Sequence, residues 1–462
     1  MHPSQQVSIH QQKRVKAQAR SSDSYTFFNL LTSPEFIDQI ESLLPEHRER
    51  LFPPTETLSM FLAQALATDR SCQNAVNDSA IKRLVGGLPN CSTHTGAYCR
   101  ARQRLPMEMV STLARYTGRM IAQNTPETWH WKGRPVRLVD GATVKLPDTS
   151  VNQETYPQPG SQQPGLGFPQ CRLVGIMCLA SGAVLNAAIG ACKGKGSDEQ
   201  TLLRSILDTL EPGDILLGDA FYATYFLLCA LQERGVDGVF EQQGARKRST
   251  DFRLGQKLGQ RDHLIVLQKP KIKPSWMSQV EYDQAPTTLT VRELHTGGKI
   301  LVTTLLYPKP TSKKDLKNLY RERWHVELDL RNIKTTLGME WLSCRTPAMV
   351  EKELWVYLLA YNLIRLLMAQ SALLADLLPR QLSFKHTLQL WVAWRQSGIS
   401  SNDDEKLTHL FILIAQQKVG NRPGRIEPRA LKKRAKAYAL LTEPRALAKE
   451  KIKKYGHPKK LK

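Results

Sequence analysis

Two aspartates have the residue type and local setting needed to hold divalent metal ions. Asp140 follows the apolar run VRLV and precedes Gly141, and Asp219 follows ILLG and precedes Ala220. Phosphodiester cleavage requires a deprotonated oxygen nucleophile and a neutralised phosphate, and two metals held by carboxylates supply both. Open α/β sheets bind ligands at the carboxyl ends of their strands, so both aspartates are candidates for such a site. Each could instead be an ordinary turn residue, since Asp-Gly is a common turn.

A third carboxylate, Glu327, lies in the segment KNLYRERWHVELDLRNIKTTLG, which has helical spacing. At about 100° per residue, four polar side chains project within about 60° on one face of a regular helix: Tyr320, Arg323, Glu327 and Lys334. Glu322 and Asp329 face the opposite side. Trp324 and three leucines flank the polar stripe, which predicts a helix that is largely buried around it. Charges in such a stripe need partners, either metal and phosphate or a structural ion-pair network.

The spacing Tyr-x2-Arg-x3-Glu-x6-Lys resembles the YREK signature of bacterial insertion-sequence DDE transposases, in the large family named after insertion sequence four. The segments VDGATVKLPD and LLGDAFYATY resemble the first and second acidic blocks of that family, and the likeness spans residues 55 to 445. Some relatives carry a tryptophan upstream of the signature tyrosine, where this chain has GGKILVTTLL and no tryptophan.

The resemblance implies a metal-binding catalytic triad of Asp140, Asp219 and Glu327. It implies that three further side chains contact phosphates near the cleaved end: Tyr320, Arg323 and Lys334. The expected cofactor is Mg²⁺, with Mn²⁺ as a substitute. The expected reaction is cleavage at the terminal inverted repeats of an insertion sequence and transfer of the 3′ hydroxyls to target DNA. The expected partners are double-stranded DNA, at the element ends and the target, and a second protomer in a synaptic homodimer.

The expected fold class is α/β, an RNase H-like core with a β-rich insertion, because three strands are followed by alternating helices and strands. A helical DNA-binding domain precedes this core, and helices and a basic tail follow it. The predicted segments are a disordered basic tail (1–25), the helical domain (26–128), the first part of the core (129–244), the insertion (245–310), the second part of the core with C-terminal helices (311–419) and a basic arm (420–462).

The charge of the chain favours a polyanionic partner. The 462 residues carry a net charge of +23, and residues 421–462 alone contain 15 Lys or Arg against 3 Asp or Glu, a net +12. The composition of this segment predicts an arm that binds phosphates. The alternative is a solvated tail. Four arginines are further candidates for DNA contacts: Arg246, Arg248, Arg100 and Arg104. Arg100 and Arg104 lie four residues apart in a predicted helix and share one face. That face either contacts DNA or is a solvated basic surface.

Composition argues against a membrane protein and a secreted protein. The apolar stretch 354–367 contains Asn362 and Arg365 and is short for a membrane span. The N-terminus lacks the apolar core of a signal peptide, so we expect a bacterial cytoplasmic, nucleoid-associated protein. Two alternative functions remain open at this point: an RNase H-like endonuclease without strand transfer, and a non-catalytic DNA-binding protein derived from a transposase.

Overall fold

A computed structural model describes residues 11–13, 15, 42–43, 51–87, 91–194, 197–397, 404–420 and 441–456. Most of the predicted basic tail and of the segment 26–50, and residues 421–440 and 457–462 of the basic arm, lie outside these ranges. The helices are α1 Pro54–Leu66, α2 Cys72–Val85, α3 Gly96–Arg104, α4 Met107–Gln123, α5 Ser150–Thr155, α6 Glu199–Arg204, α7 Tyr225–Glu233, α8 Gly244–Ser249, α9 Gln279–Gln284, α10 Lys313–Glu322, α11 Trp324–Arg331, α12 Pro347–Ala375, α13 Phe384–Gln396, α14 Asp404–Gln416 and α15 Arg445–Tyr455.

A single mixed sheet lies at the centre of this α/β protein. Its strands are β1 Val136–Lys145, β2 Gln170–Cys178, β3 Val184–Ala191, β4 Ile215–Gly218, β5 Asp237–Glu241, β6 Gln256–Gly259, β7 Asp262–Gln268, β8 Thr288–Thr296 and β9 Lys299–Thr303. They are ordered β3-β2-β1-β4-β5-β9-β8-β7-β6. The pairs β1–β2 and β2–β3 are antiparallel, whereas β1–β4 and β4–β5 are parallel.

The predicted β-rich segment 245–310 extends this sheet. Strand β9 pairs antiparallel with β5, and β8, β7 and β6 follow it outward. The segment therefore shares one hydrogen-bonded sheet with the strands that carry Asp140 and Asp219. At its start, helix α8 places Arg246 beside Glu293, which is completely buried.

The expectation of a turn at Asp140-Gly141 is wrong. Strand β1 continues through both residues, and Asp140 and Gly141 pair with Gly175 and Val174 of β2. Pairing with β4 ends at Leu138, so the ladder with β2 alone keeps Asp-Gly extended despite its weak strand propensity.

Helix α12 forms the centre of the helical layer, and its Asn362 fixes it to the sheet. The Asn362 Nδ2 donates to the Ala114 carbonyl of α4 at 2.9 Å and to the Val184 carbonyl of β3 at 2.8 Å, while its Oδ1 accepts from the Val184 N–H. Helix α4 approaches β3 so closely that a Cβ on Gly118 would lie 1.8 Å from the Val184 oxygen. A polar side chain in the apolar stretch 354–367 is thus fully hydrogen-bonded in the core.

Within the described ranges, one helix, α12, has the length and apolar composition to cross a membrane, and 89% of its most apolar window is buried inside the protein. Its residues pack against α4, α14 and α1. Core helices can have the same length and apolar composition as a membrane span, and burial to this extent is typical of a core helix.

The N-terminal helices are tied to the core by a buried lysine. Lys352 of α12 donates to the carbonyls of Arg102 and Gln103 at the end of α3, at 3.1 and 3.0 Å. Burial lowers the pKa of Lys352. Arg102 is itself buried and stacks on the rings of Phe61 and Tyr98, whereas Arg100 and Arg104 of the same helix are exposed.

Candidate active site

Parallel pairing brings the two predicted aspartates to the same end of adjacent strands. Leu138 of β1 pairs with Leu217 of β4, and Asp140 and Asp219 each lie two residues further along. Adjacent strands are about 4.8 Å apart, so the two carboxyl groups lie near each other. Strand β4 stops at Gly218, and Asp219 then caps a 3₁₀ turn by accepting the Phe221 N–H at 2.8 Å.

The side chain of Arg323 links Glu327, the third predicted acid, to Asp140. Arg323 lies at the junction of α10 and α11, and its Nη2 donates to Glu327 Oε1 at 2.8 Å. The Nη1 of the same side chain lies 4.0 Å from Asp140 Oδ2. The guanidinium therefore lies between the first and the third carboxylate, and Asp219 lies beside Asp140 at the end of the neighbouring strand.

The electrostatics of the site disfavour a charged Asp140. Burial raises the pKa of Asp140 to about 6. The Gly141 N–H, donated to Asp140 Oδ1 at 2.8 Å, and the Arg323 guanidinium lower it, while the negative charges of Asp219 and Glu199 raise it further. Burial is thus the largest cause of the raised pKa, and a cation bound at the carboxylate would offset the cost of burying its charge.

The donor set fits a hard divalent cation in its chemistry, because carboxylate oxygens are the ligands that such ions prefer. Over the described ranges, no three His, Cys, Asp or Glu side chains stand close enough to hold a metal ion as they are now arranged. Arg323 occupies the space between Asp140 and Glu327, so a cation requires this guanidinium to withdraw from Glu327. The residues that would hold the ion are Asp140, Asp219 and Glu327.

The regular helix predicted through Lys334 is interrupted twice. The α-helical hydrogen bonding is interrupted at Arg323 between α10 and α11, although its backbone stays helical, and residues Asn332–Thr336 form a π-helical turn. The wider turn changes the direction of Lys334 from the one that a regular helix gives. Within the described residues, the Lys334 ammonium makes no hydrogen bond or ion pair, so the structure does not join it to the acids as it joins Arg323.

Two flanking residues differ from their predicted settings. Trp324 was expected in the apolar flank, but 57% of its surface is exposed. Asp329, predicted to face away from the signature residues, is completely buried and accepts from Arg380 Nη1 at 2.6 Å and from Arg365. Asp329 is therefore committed to a structural ion-pair cluster, which leaves Glu327 as the acid of this helix that faces Asp140.

A cavity of about 450 Å³ opens beside the signature helix. It is lined by Thr296, Gly297, Lys299, Leu301, Lys317, Tyr320, Arg321, Arg323 and Trp324. The Lys299 ammonium lies 5.6 Å from the centre of the Tyr320 ring. The Tyr320 hydroxyl is buried next to the backbone of Glu241. Lys299 is ion-paired with Glu241 at 2.6 Å, whereas Lys317 and Arg321 line the same cavity and are the basic side chains suited to an anionic ligand.

The outlying arginines have different environments. Arg246 donates from Nε to Glu293 Oε1 at 2.9 Å, and Glu293 is also bonded by Gln242 and His263. Its guanidinium thus neutralises a buried acid, which weakens the prediction of a DNA contact. Arg248, like Arg100 and Arg104, is exposed. The structure places these three away from internal partners, as a surface contact with phosphate requires.

Sequence analysis missed one acid of this neighbourhood, Glu199. It is the first residue of α6, and its carboxylate lies against the backbone of β1 at Gly141. Glu199 follows Asp198 in a polar stretch, and nothing in the local pattern separates it from the many exposed acids of the chain.

Comparison with known proteins gives concordant matches over most of the chain. Residues 131–363 match a family model described as "Transposase DDE domain". The chain is 28% identical over 418 residues to the transposase InsG for insertion sequence element IS4 of Escherichia coli (strain K12), covering 88% of this chain and 91% of that relative. It is 30% identical over 142 residues to the putative transposase InsZ of the same organism, covering 30% of this chain and 46% of InsZ.

Among solved structures, the chain is similar to a piggyBac transposase in a synaptic complex with hairpin DNA. The identity is 10%, the TM-score is 0.42, and the alignment covers 88% of each chain. A likeness at that score is too distant to support an argument about this site.

Proposed function

This chain belongs to the DDE transposase family, as a metal-dependent enzyme of the bacterial group named after insertion sequence four, and on that premise we propose what it does to DNA. It binds the terminal inverted repeats of an insertion sequence, cleaves at the ends and transfers the 3′ hydroxyls to target DNA. The observation that carries the proposal is that the Arg323 guanidinium lies between Asp140 and Glu327, with Asp219 beside Asp140 on the neighbouring strand.

The catalytic core has an RNase H-like fold in this proposal. The strand order β3-β2-β1-β4-β5, with three antiparallel strands followed by two parallel ones, is the order of such a sheet. The core comprises 129–244 and 311–419, with 245–310 as the β-rich insertion that continues the sheet. The helical segment 26–128 and the arm 420–462 bind DNA.

Asp140, Asp219 and Glu327 supply the oxygens that hold two divalent cations, which we take to be Mg²⁺, with Mn²⁺ as a substitute. When bound, such ions activate the attacking oxygen and neutralise the charge that develops on the phosphate. Arg323 then leaves Glu327 and donates to a phosphate oxygen near the cleaved bond. The buried Tyr320 hydroxyl donates to the same backbone, and Lys334 adds a positive charge.

The cavity beside α10 receives a nucleotide of the DNA end. Trp324 offers an exposed aromatic face for a base, while Lys299 and Arg321 face the sugar–phosphate backbone. Stacking on one aromatic side chain contributes about 1–3 kcal/mol per base. Trp324 thereby supplies an aromatic surface that the segment GGKILVTTLL lacks.

Two protomers joined in a synapse hold the two ends of the element, and the protein acts on DNA in the bacterial nucleoid. The basic arm, of which α15 is described, contributes electrostatic attraction along the duplex. Arg445 at the start of α15 lies over the Phe168 ring at 5.9 Å, so this helix begins next to the loop that follows α5.

A joining assay tests the proposal against its two alternatives. Precut ends taken from the DNA flanking the reading frame are incubated with labelled target DNA and Mg²⁺. Joined product is expected from the wild type and is lost in Asp140→Asn, Asp219→Asn and Glu327→Gln. Cleavage of uncut ends without any joining supports the endonuclease, and DNA binding without cleavage supports the non-catalytic protein.

A further inference from the structure

A buried guanidinium in the N-terminal helices has sulfur atoms as its hydrogen-bond acceptors. Arg102 of α3 is 7% exposed, and its Nη2 donates to Cys72 Sγ at 3.1 Å and to Cys99 Sγ at 3.9 Å. Among the described residues, its Nε and Nη1 have no acceptor. Burying a cation without a negatively charged partner is costly. The thiols that face Arg102 are therefore the groups placed to supply a compensating charge.

The position of Cys72 in its helix also favours a thiolate. Cys72 is the first residue of α2, a helix of 14 residues whose N-cap is Ser71. The free N–H groups and the dipole at a helix N-terminus stabilise a negative charge there. Burial raises the pKa of the Cys72 thiol, and the charge of Arg102 opposes that rise. Cys72 is thus the thiol of this cluster best placed to act as a nucleophile.

Cys99 of α3 lies where it can pair with Cys72. The two thiols are hydrogen-bonded to each other and share the Arg102 Nη2 as a donor. Both cysteines are half-buried, so a small oxidant can reach them. Helices α2 and α3 pack together in a small apolar cluster that is separate from the main core. Two free thiols at hydrogen-bond distance on adjacent helices need little more than side-chain rotation to form a bond.

A third thiol near Arg102, that of Cys344, is engaged elsewhere. Cys344 is 6% exposed, and its thiol is hydrogen-bonded to the Glu353 carboxylate. Over the described ranges, no three His, Cys, Asp or Glu side chains are grouped so as to hold a metal ion, which argues against a zinc site at these thiols. The arrangement therefore leaves Cys72 and Cys99 as a pair of free thiols beside one buried cation.

We propose that Cys72 and Cys99 form a redox-sensitive pair, which hydrogen peroxide converts to a disulfide that weakens DNA binding by the helical domain. The Cys72 thiolate attacks the O–O bond of the peroxide, which gives a sulfenic acid and, after proton uptake, one water. The Cys99 thiol then attacks the sulfenic sulfur, forms the S–S bond and releases a second water. One peroxide is reduced and two thiols are oxidised. Disulfides that form in a reducing compartment are usually transient and regulatory.

Arg102 connects the state of the thiols to the surface of α3. A disulfide sulfur is a weaker acceptor than a thiolate, so oxidation removes the partner of the buried guanidinium. The same helix carries the exposed Arg100 and Arg104, and the Lys352 ammonium holds the Arg102 carbonyl at 3.1 Å. A shift of Arg102 therefore moves the turn that presents both exposed arginines. This effect rests on the proposed function, which makes the helical domain a DNA-binding unit, whereas the pairing of the thiols does not.

Peptide mass spectrometry tests the pairing in the full-length protein. After peroxide treatment and alkylation, trypsin releases Cys72 in peptide 71–82 and both Cys91 and Cys99 in peptide 84–100. We expect the two peptides to be joined with the loss of two hydrogen atoms. The joined species should disappear in Cys72→Ser and Cys99→Ser and persist in Cys91→Ser, a control at another half-buried thiol.

Two results would overturn the pairing: no joined peptides in the wild type, or joined peptides that persist in Cys99→Ser and disappear in Cys91→Ser. If a serine variant does not fold, the alanine variant at the same position takes its place with the same expectation.

Fluorescence anisotropy with end DNA tests the effect of the disulfide. Peroxide should weaken wild-type binding about fivefold, and dithiothreitol should restore it. Cys91→Ser should respond like the wild type, whereas Cys72→Ser and Cys99→Ser should keep the affinity of the reduced protein. A cross-linked wild type with unchanged affinity would overturn the regulatory role. If the reduced wild type binds no end DNA, the proposed function fails and the switch with it, while joined peptides would still establish the thiol pair.

Discussion

Replacement of Asp140 by asparagine should stabilise the metal-free protein. Burial raises the pKa of this carboxyl from 3.8 to about 6, so the folded state holds the charged form less favourably than the unfolded state does. Asparagine has nearly the shape of the protonated acid, and its Oδ1 can still accept the Gly141 N–H.

The magnitude follows from the shift in pKa. At about 1.36 kcal/mol per pKa unit, a rise from 3.8 to about 6 corresponds to about 3 kcal/mol. Because only 20% of the Asp140 side chain is exposed, solvent screening removes little of this. The net shift already includes the attraction of Arg323, so no separate correction for that pair is needed.

The size of the stabilisation by Asp140→Asn depends on pH. Well below pH 3.8 the carboxyl is protonated in both states and costs nothing. The penalty develops as pH rises from about 4 to about 6, and above that it is complete. Asp140→Asn should therefore raise the free energy of unfolding by about 3 kcal/mol at pH 8 and by about half as much at pH 5.

Urea unfolding in the presence of EDTA measures both values, with the exposed Asp208→Asn as the matched control, for which a change below about 0.5 kcal/mol is expected. Addition of Mn²⁺ should then stabilise the wild type and leave Asp140→Asn unaffected. A variant that is less stable than the wild type at pH 8 without metal would refute the view that Asp140 carries uncompensated charge.

Three further variants test other parts of the molecule. Asp329→Asn should destabilise the fold by about 3–5 kcal/mol in urea unfolding, because it leaves buried arginines without their acid; a loss below about 1 kcal/mol would contradict a structural role. Trp324→Ala should weaken binding to end DNA in fluorescence anisotropy by about tenfold, while the exposed Tyr307→Ala should not, and equal effects of the two would remove the stacking role. The double variant Arg100→Ala, Arg104→Ala should reduce the slope of log affinity against log salt by about 2, whereas an unchanged slope would identify a solvated face.

The family membership and the nature of the chemistry could be predicted from the sequence. The four signature residues identify themselves by spacing within a single segment, and the two aspartates by the apolar runs that precede them. Such patterns are local, because a strand or helix imposes its period on the residues inside it. In the structure, Arg323 lies between Asp140 and Glu327.

The breaks in the signature helix could not be predicted in this way. The hydrogen-bond pattern of the helix is interrupted at Arg323, and the helix widens into a π-helical turn at Lys334, so an angle summed over fourteen residues of regular helix no longer holds. Asp329, which lies between these two irregularities, is held by two arginines from α12 and from the 3₁₀ turn Pro379–Gln381, far along the chain. Propensity within the segment contains no information about those partners.

The sequence by itself indicated which side chains could hold a metal ion, and it identified the family to which the chain belongs. Only the tertiary structure decided that β1 and β4 pair in the register that aligns Asp140 with Asp219, and that β9 joins the insertion to the same sheet. It also decided that Glu199 lies over Gly141, fifty-eight positions away along the chain. The physical reason is that register and close approach are set by contacts between residues distant in sequence, and a local pattern records only the neighbours within its own element.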